Sequence, residues 1–377
     1  MTPKGLHPRV VVAPDKFKGS LSAAEAAEAI VTGLRRGCPG VEVVVLPVAD
    51  GGEGTVAAAL SAGYTAHTAV VRGPTGEPVA ATFALSAALA VLEMAEASGL
   101  RRLPGPPAPQ TASTYGTGEL IRAALDAGAR ELILGLGGSA TTDGGAGMLA
   151  ALGVRFLDAA GAELAPGGAA LADLDRIDIS ALDPRFSEAT LVLASDVDNP
   201  LVGPHGAAAV YGPQKGATPE DVCVLDAALT RYADVLARDA GVQVATLPGA
   251  GAAGGTGAGA MALLKARSES GIGLVLGVVG FFEALAETDL VITGEGSLDA
   301  QSLSGKAPVG IAKVARAAGV PVIALIGRLD VTPAELQAVG IRSAHALLEL
   351  EPDPAVAHAD AATLLAQLAE KVGVDLC

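Results

Sequence analysis

A short apolar run that breaks into a glycine- and hydroxyl-rich segment constrains the fold of this chain more than any other feature. The run Leu132–Leu134 is long enough for a buried strand, and Gly, Ser and Thr dominate the next segment, Gly135–Gly147. A helical pattern follows through Met148. A strand, a glycine-rich loop and a helix start present backbone N–H groups and the partial positive charge of a helix N-terminus to an anion. A tight connector that needs several positive φ values would have the same composition.

The donors of this loop suit a phosphate group. Glycine lets the backbone approach a ligand closely, and the hydroxyl groups add further hydrogen-bond donors. The loop also contains Asp143, which does not bind phosphate and so needs another role, such as holding a divalent cation that the phosphate also contacts. The candidate phosphate-binding residues are Gly137, Gly138, Ser139 and Thr141.

The charge balance limits the partners of the chain. Its 377 residues include 25 Lys and Arg against 41 Asp and Glu, which gives a net charge of −16. Aromatic residues make up 3% and Trp is absent, so base-stacking surfaces for single-stranded nucleic acid are not expected. The negative charge also argues against a nucleic-acid or anionic-membrane surface. A small anionic substrate remains compatible, provided that local lysines or a metal ion supply positive charge.

The cysteines and the apolar segments favour a cytoplasmic protein. Cys38, Cys223 and Cys377 are far apart and odd in number, without a disulfide framework or zinc spacing, so reduced thiols are expected. The N-terminal segment has no apolar core of signal-peptide length. No stretch has the length and composition of a membrane span. We therefore expect a cytoplasmic monomer or homodimer with no membrane or nucleic-acid partner.

The order of predicted elements indicates an α/β protein with two α/β domains, one inserted in the other. At the N-terminal end, β-branched runs alternate with helical patterns, as is typical of a parallel sheet, and the same rhythm returns from Asp289. Between these parts, Thr65–Val71 and Val79–Leu85 flank a glycine- and proline-containing turn and predict an antiparallel hairpin. The expected domains are a Rossmann-like or flavodoxin-like parallel sheet in residues 1–72 and 287–377, and an inserted domain with a mixed sheet in residues 73–286.

Two segments far apart in the sequence test this organisation. If one domain is inserted in the other, Val10–Ala13 and Leu290–Thr293 must lie in the same sheet. A structure that placed them in different domains would contradict the prediction.

Several predicted strands end at an acidic residue. In open α/β sheets, ligands bind beyond the carboxyl ends of the strands. A single acid at such a position is usually a helix cap or a turn former. Its repeated coincidence with glycines and lysines favours a shared cleft for phosphate and a metal ion, and therefore phosphoryl transfer. The acids are Asp15, Asp50, Asp143, Asp196, Glu295 and nearby Asp299, and the lysines are Lys18, Lys215 and Lys306.

Several familiar motifs are absent from the sequence. It contains no GxxxxGK[ST], so a Walker-type P-loop is excluded. No GxGxxG follows the first strand, which disfavours an ordinary dinucleotide fold there, and no GxSxG nucleophile elbow is present. The histidines lack ligand spacing, and we interpret them as surface or core residues.

Six segments form a pattern that is specific as a set. They are Pro14–Leu21, Ala49–Thr55, Gly137–Gly147, Asp196–Leu201, Gly212–Ala217 and Gly294–Lys306. In this order, over about residues 9–327, they resemble the ATP-dependent glycerate kinase family, the bacterial type that lacks a P-loop. The resemblance implies two α/β domains, one inserted in the other, with the active site between them. It also implies transfer of a phosphoryl group from ATP to D-glycerate with Mg²⁺, generally at the 2-hydroxyl.

The resemblance and the strand-end positions together predict residue roles. Three carboxylates are expected to share the roles of Mg²⁺ ligand and general base, and the sequence does not divide those roles among them. Two lysines are expected to neutralise charge on the γ-phosphate or on the glycerate carboxylate. The predicted catalytic residues are Asp50, Asp196, Glu295, Lys18 and Lys306; the phosphate-binding residues are Gly137, Gly138, Ser139 and Thr141; the substrate-binding residues are Asp15, Lys16, Lys215 and Asp299; and the metal ligands are Asp143, Asp196 and Glu295.

Three positions depart from the usual pattern of the family. Lys16 stands where serine is usual, Thr142 where asparagine is usual, and Ser297 where arginine is usual. The last departure matters most, because an arginine there would be a natural partner for phosphate or carboxylate. Lys16 is a candidate for restoring the lost charge from another strand end.

Two other classes of function compete with a kinase. A non-catalytic regulator that binds a sugar acid would bind glycerate without turnover. A nicotinamide-dependent hydroxy-acid dehydrogenase would change the absorbance of its cofactor. A kinase would require Mg²⁺ and release ADP, so a coupled ADP-release assay with and without glycerate separates the three.

Overall fold

The chain is an α/β protein in a computed structural model, and the structure describes residues 7–300, 302–304 and 306–377. None of the helices in these ranges is both long and apolar enough to cross a membrane. The strands are β1 (Arg9–Pro14), β2 (Glu42–Val45), β3 (Thr65–Arg72), β4 (Pro78–Ser86), β5 (Leu89–Glu93), β6 (Glu131–Gly135), β7 (Arg155–Leu157), β8 (Arg176–Asp178), β9 (Thr190–Ala194), β10 (Arg267–Glu269), β11 (Leu290–Leu298), β12 (Val322–Leu329) and β13 (Ser343–Ala346). The helices are α1 (Ala23–Gly37), α2 (Thr55–Ser61), α3 (Met94–Ser98), α4 (Tyr115–Asp126), α5 (Ala146–Ala151), α6 (Ala207–Tyr211), α7 (Pro219–Asp239), α8 (Ala252–Leu263), α9 (Gly271–Val278), α10 (Phe281–Leu285), α11 (Ala307–Ala317), α12 (Pro333–Ala338), α13 (Pro354–Ala359) and α14 (Ala361–Leu376).

The first sheet is entirely parallel, with the strand order β13-β12-β11-β1-β2. Val10 of β1 stands opposite Leu290 of β11, so the prediction that these distant segments lie in one sheet is confirmed. Val10, Val11 and Val12 are all fully buried, as expected for a strand that is covered on both faces.

The helix that follows β1 and the helix that follows β11 pack on different faces of this sheet. Val12 of β1 packs in one apolar cluster with Ile30 of α1. Its neighbour Val11 packs in a different cluster with Ile311 of α11, because successive side chains of a strand point to opposite faces. The helix after β1 and the helix after β11 therefore cover opposite faces. Such a change of direction opens a crevice at the carboxyl ends of two adjacent strands.

The second sheet is mixed, with the strand order β10-β9-β6-β5-β4-β3. The hairpin predicted from the sequence is present, since Thr65 pairs with Leu85 and Arg72 with Pro78 in antiparallel register. Strands β5, β6, β9 and β10 then run parallel to one another. The separate antiparallel pair β7–β8 lies outside this sheet. The prediction of an α/β fold with one parallel and one mixed sheet is confirmed.

The chain forms two compact units, whose bounds differ from the expected joints near Arg72 and Glu287. Strand β3 belongs with the second sheet because it pairs with β4. Helices α9 and α10 belong with the first sheet because Ile272 and Phe281 join the same apolar cluster as Val11. The first unit comprises the described residues up to Asp50, Ala57–Gly63 and Ile272–Cys377, and the second comprises Gly51–Val56 and Tyr64–Gly271.

Cys38 and Cys377 form a disulfide in the structure, so the expectation of three reduced thiols is wrong for this pair. Their Cα atoms lie 5.7 Å apart, within the usual range for a disulfide. Cys38 caps the end of α1, and Cys377 follows α14, which packs against α1. This proximity was not predicted, because 339 positions separate the two residues. Cys223 is a free, exposed thiol.

The disulfide is expected to stabilise the first unit. Exchanging Cys38 for serine should lower the free energy of unfolding by roughly 2–5 kcal/mol, because the unfolded chain is no longer cross-linked. Thermal unfolding of the wild type and of Cys38→Ser, each with and without a reductant, measures the effect. Cys223→Ser is the matched control and should unfold as the wild type does. A wild-type melting temperature that is unchanged by complete reduction would contradict the prediction.

Candidate active site

Three carboxylates gather near the carboxyl ends of the first sheet, and we call Asp15, Asp50 and Glu295 the acid cluster. Asp15 directly follows β1, and its backbone N–H donates to the Gly294 carbonyl at 2.8 Å, which brings it beside Glu295 of β11. Asp15 and Glu295 are each only 7% exposed. Both lie close enough to each other or to Asp50 for like charges to interact. Strand pairing thus brings together acids that are 280 positions apart.

Burial dominates the electrostatics of the acid cluster. It raises the pKa of Glu295 to about 7 and the pKa of Asp15 to about 6, because burial removes the water that would stabilise the ionised form. The charge of Asp50 raises both pKa values further. Lys306 acts in the opposite direction on both groups, and Lys16 lowers the pKa of Asp15. The cluster therefore holds carboxylates that exchange protons near neutral pH.

One carboxylate oxygen of Glu295 is available to a ligand. Its Oε1 atom is buried and has no hydrogen-bond partner among the described residues. Burying such an oxygen costs free energy unless a cation or a hydrogen-bond donor contacts it. Mg²⁺ prefers carboxylate oxygens and commonly takes one or two of them together with water and phosphate oxygens, so the donors of the cluster fit this ion. Within the described ranges, no ready group of three or more His, Cys, Asp or Glu side chains could hold a metal ion by itself.

Lys306 supplies positive charge to the acid cluster. It is the N-cap residue of α11, and its Nζ donates to the Ser302 hydroxyl at 3.0 Å. The Ser302 backbone N–H in turn donates to Asp299 Oδ1 at 2.9 Å. A lysine at a helix N-terminus is repelled by the helix dipole, and the carboxylates of Asp15 and Glu295 compensate for that repulsion.

In the second unit, the loop Gly135–Gly147 is organised around Asp143. The carboxylate of Asp143 is buried and accepts hydrogen bonds from the Thr114 backbone N–H at 2.8 Å and from the Thr114 hydroxyl at 2.9 Å. It also accepts from the N–H groups of Gly145 and Gly147, at 3.1 and 3.2 Å. Two N–H groups at the start of α5 therefore donate to the protein's own carboxyl group, whose pKa is raised by burial. The N–H groups of Gly145 and Gly147 are not offered to a phosphate.

Lys215 holds the same loop from another element. It ends a short 3₁₀ turn, is 2% exposed, and its Nζ donates to the Thr141 carbonyl. Burial lowers the pKa of Lys215 to about 7, while the nearby charge of Asp143 opposes this shift. Its hydrogen bond to Thr141 helps to hold the loop in place. Contact between the Lys215 side chain and the substrate stays a prediction.

Three buried hydroxyls near the loop lack hydrogen-bond partners among the described residues. They belong to Thr141, Thr142 and Tyr232. The first two are consecutive, and the ring of Tyr232 packs beside Gly144, where a Cβ atom would lie 2.6 Å from it. Gly138 at the front of the loop has φ +76°, which favours glycine, and is exposed.

The remaining predicted residues lie on both units. Lys18 is exposed in the turn after β1, and the backbone N–H of Lys16 donates to Asp15 Oδ1 at 2.6 Å. Asp196 is exposed two residues beyond β9, in the second unit. The first unit thus contains Asp15, Asp50, Glu295, Asp299, Lys16, Lys18 and Lys306, whereas Gly137, Gly138, Ser139, Thr141, Asp143, Asp196 and Lys215 belong to the second.

Several residues that position these groups were not predicted from the sequence. Ser302 links Lys306 to Asp299, and Thr114 anchors Asp143. Glu93 accepts hydrogen bonds from the N–H groups of Gly54 and Val56, at 3.0 and 2.7 Å, and so fixes the segment after Asp50. Glu93 was detectable as an acid at the end of a strand, whereas Ser302 and Thr114 carry no signal in the sequence.

Comparison with known proteins assigns the chain to a family. The profile described as the glycerate kinase family matches residues 10–376. A glycerate kinase of Halalkalibacterium halodurans is 47% identical over 371 residues, or 97% of each chain. The glycerate kinase of Bacillus subtilis and the glycerate 2-kinase of Escherichia coli are 50% and 48% identical, each over 85% of both chains.

A solved structure supports the same assignment. The crystal structure of a candidate glycerate kinase 2 from Salmonella typhimurium LT2 superposes with a TM-score of 0.86 at 45% sequence identity, over 98% of each chain. Similarity in sequence and in fold thus extends over nearly the whole chain. The chain is therefore a kinase that belongs to the glycerate kinase family.

Proposed function

We propose that this kinase transfers the γ-phosphoryl group of ATP to the 2-hydroxyl of D-glycerate, with Mg²⁺. The observation that carries the proposal is the buried acid cluster beside Lys306, with the unpaired Oε1 of Glu295, at the change of helix direction in a parallel sheet. Phosphoryl transfer needs positioning, neutralisation of charge and a base for the attacking hydroxyl. The name of the Escherichia coli relative supports the 2-hydroxyl as the acceptor.

Glu295 is the proposed base. A base works best when its pKa lies near the operating pH, and burial brings the pKa of Glu295 to about 7. Its unpaired Oε1 can accept the proton of the glycerate hydroxyl. Asp15 and Asp50 would hold Mg²⁺, which supplies charge neutralisation on the phosphates when bound. Lys306 would stabilise negative charge on the γ-phosphoryl group, and Lys18 and Lys16 would attract the anionic substrates.

In the second unit, we propose that the exposed front of the loop binds phosphate. The Gly137 and Gly138 backbone would provide the contacts, with the buried hydroxyls of Ser139 and Thr141 behind them. Lys215 and Asp143 would maintain the shape of this loop, and a role of Asp196 as metal ligand or base stays a prediction. A cytoplasmic location and a monomeric or homodimeric state stay predictions. The disulfide bears on the predicted location, because disulfides are rare in cytosolic proteins.

The proposed function is tested by ADP release coupled to a colorimetric or fluorescent readout. We expect ADP release with D-glycerate and Mg²⁺, none in excess EDTA, and recovery on adding Mg²⁺ or Mn²⁺. Phosphorus NMR of the product should show 2-phosphoglycerate. Undiminished turnover without divalent ions would remove the metal from the proposal.

Two controls separate the other classes of function. Glycerate binding without ADP release would identify a non-catalytic regulator. Glycerate-dependent change in nicotinamide absorbance without ADP release would identify a dehydrogenase. The 3-phosphoglycerate isomer as product would overturn the choice of hydroxyl and leave the kinase activity intact.

A further inference from the structure

The first unit contains a cavity of about 320 Å³ whose lining does not include the acid cluster. We call it the sheet-edge cavity. Its apolar wall includes the buried side chains of Phe17, Leu347 and Ala361. Three basic or titratable side chains, Lys18, Arg328 and His358, also line it. The volume lies at the lower end of the range for pockets that bind small organic ligands, about 300–1,000 Å³.

The cavity adjoins the same strand ends as the acid cluster. Phe17 follows Asp15 by two positions, and Gly296 follows Glu295 directly. Alternation along β11 sends Glu295 to one face of the sheet and position 296 to the other. A Cβ atom at position 296 would lie 3.3 Å from the backbone nitrogen of Lys18. The two sites thus occupy opposite faces at one sheet edge. The carboxyl ends of β1 and β11 form a crevice there, because the helices that follow the two strands lie on opposite faces of the sheet. Ligands bind at such a crevice in open α/β sheets.

The lining is unusual for a chain of net charge −16, because none of the described residues that form it carries a carboxylate. Arg328 stands directly opposite Ser297 in the pairing of β11 with β12. Its Nε contacts Asp330 Oδ2 at 2.7 Å, but both side chains are largely exposed, and an exposed ion pair of this kind is weak. The guanidinium can therefore turn to a more highly charged anion.

His358 completes the basic side of the cavity through a close approach to the turn after β1. A Cβ atom at Gly19 would lie 3.0 Å from His358 Nε2, and Gly19 has φ +87°, so only glycine leaves this space without strain. Apolar surface on one side and basic groups on the other match a ligand that combines a flat, weakly polar ring system with a phosphate.

We propose that the sheet-edge cavity binds the nucleoside of the phosphoryl donor, with Arg328 contacting a phosphate of the same molecule. The proposal rests on the proposed kinase function and adds the location of the donor. The nucleobase lies against the apolar wall, and the phosphates leave the cavity past Lys18 and Ser297 towards the strand ends. Inorganic phosphate alone would not use the apolar wall, so a nucleoside phosphate fits the whole lining better.

A second cavity of the same unit provides a matched control. It measures about 370 Å³ and is lined by Arg342 and His345, but also by Asp289 and Asp375. Leu290 at the start of β11 and Ser343 at the start of β13 place it at the amino ends of the strands. This second cavity is similar in size to the sheet-edge cavity but has carboxylates in its lining. Arg342→Met is therefore the matched control for Arg328→Met.

Calorimetric titration of the full chain with ADP, adenosine and pyrophosphate tests the proposal. Arg328→Met should weaken ADP binding by about tenfold or more and leave adenosine binding nearly unchanged, since it removes a charge-assisted phosphate contact. Ala361→Leu should weaken both ADP and adenosine binding by filling the cavity, and leave pyrophosphate binding unchanged. Arg342→Met should bind all three as the wild type does. The KM for ATP should rise in parallel with the Kd for ADP, while the KM for glycerate stays constant.

The outcomes separate this proposal from the proposed function. Unchanged ADP affinity in Arg328→Met and in a folded cavity-filling variant overturns the sheet-edge site, even where ADP release proceeds normally. Weaker ADP binding with an unchanged KM for ATP assigns the cavity to a nucleotide other than the donor and also overturns the proposal. If the wild type releases no ADP with glycerate, the proposed function fails and the donor assignment fails with it. Thermal unfolding checks each variant, and Ala357→Val replaces Ala361→Leu if the latter does not fold.

Discussion

Exchanging Glu295 for glutamine is expected to lower kcat by about 10²–10⁴-fold, the usual contribution of a general base. Glutamine keeps the size of the side chain but cannot accept the proton of the glycerate hydroxyl. The loss should appear at every pH at which the wild type is active, because no titration restores a base to the variant. Glu349→Gln is the matched control, since Glu349 is exposed at the same end of the unit, and its kcat should stay at the wild-type value.

The same variant should be at least as stable as the wild type. Burial raises the pKa of Glu295 from 4.5 to about 7, so the folded state binds this proton more tightly than the unfolded state does. The contribution of Glu295 to stability is full below pH 4.5 and is lost as the pH rises through about 7. Glutamine does not titrate, so the free energy of unfolding of the variant relative to the wild type should increase across this window and then level off.

Discontinuous assays of ADP release measure kcat. Urea unfolding in metal-free buffer between pH 4 and 8 measures the free energy of unfolding. Activity lost together with stability would mean that Glu295 serves the fold and that the base lies elsewhere. Activity retained within threefold or so of the wild type would also remove Glu295 from the role of base, since a lost base costs about 10²-fold or more.

Exchanging Lys306 for methionine is expected to lower kcat by about 10² or more, the scale of a lost transition-state donor. Methionine keeps the length and the apolar stem of lysine but removes the charge that faces Asp15 and Glu295. Because Lys306 lowers the pKa of both carboxyl groups, the variant should also shift the acidic limb of its pH–rate profile upwards. Little loss of folding stability is expected, since Lys306 makes a helix N-terminus more positive.

The split between kcat and KM decides what Lys306 contacts. A fall in kcat with little change in KM for glycerate indicates the transferring phosphoryl group, whereas a rise in KM with a smaller change in kcat indicates the glycerate carboxylate. Lys313→Met is the matched control, because Lys313 is exposed on the same helix. Near-normal kcat, KM and pH profile in Lys306→Met would show a surface lysine and would contradict its place in the active site.

The parts of the fold that depend on local pattern were predictable. Valine runs and helical spacing predicted that β1 and β11 share a sheet, and the turn between β3 and β4 predicted a hairpin, because side-chain periodicity follows burial directly. The acid at the end of β1 and the acid in β11 were predictable as neighbours only through the rule for strand ends. Their burial, which sets both pKa values, depends on the surrounding packing and has no signature in the sequence.

The loop around Asp143 shows why residue roles were harder to predict. Its composition predicted an anion site, but did not predict that the carboxyl group of Asp143 is held by Thr114 from 29 positions earlier. Lys215 was predicted as a substrate contact, which stays a prediction, whereas its burial and its hydrogen bond to the Thr141 carbonyl were not predicted. Long-range partners of this kind are set by tertiary packing. The sheet-edge cavity was equally hidden, because it forms only where helices α13 and α14 meet the turn after β1.

The bond between Cys38 and Cys377 turns most of the polypeptide into a covalent ring. All four passages of the chain between the two units lie inside that ring, since the second unit comprises Gly51–Val56 and Tyr64–Gly271. A single nick at any peptide bond between the two cysteines would therefore leave one covalently continuous molecule while the bond is intact. Protease damage in an exposed loop of the second unit would release no fragment until a reductant opened the ring.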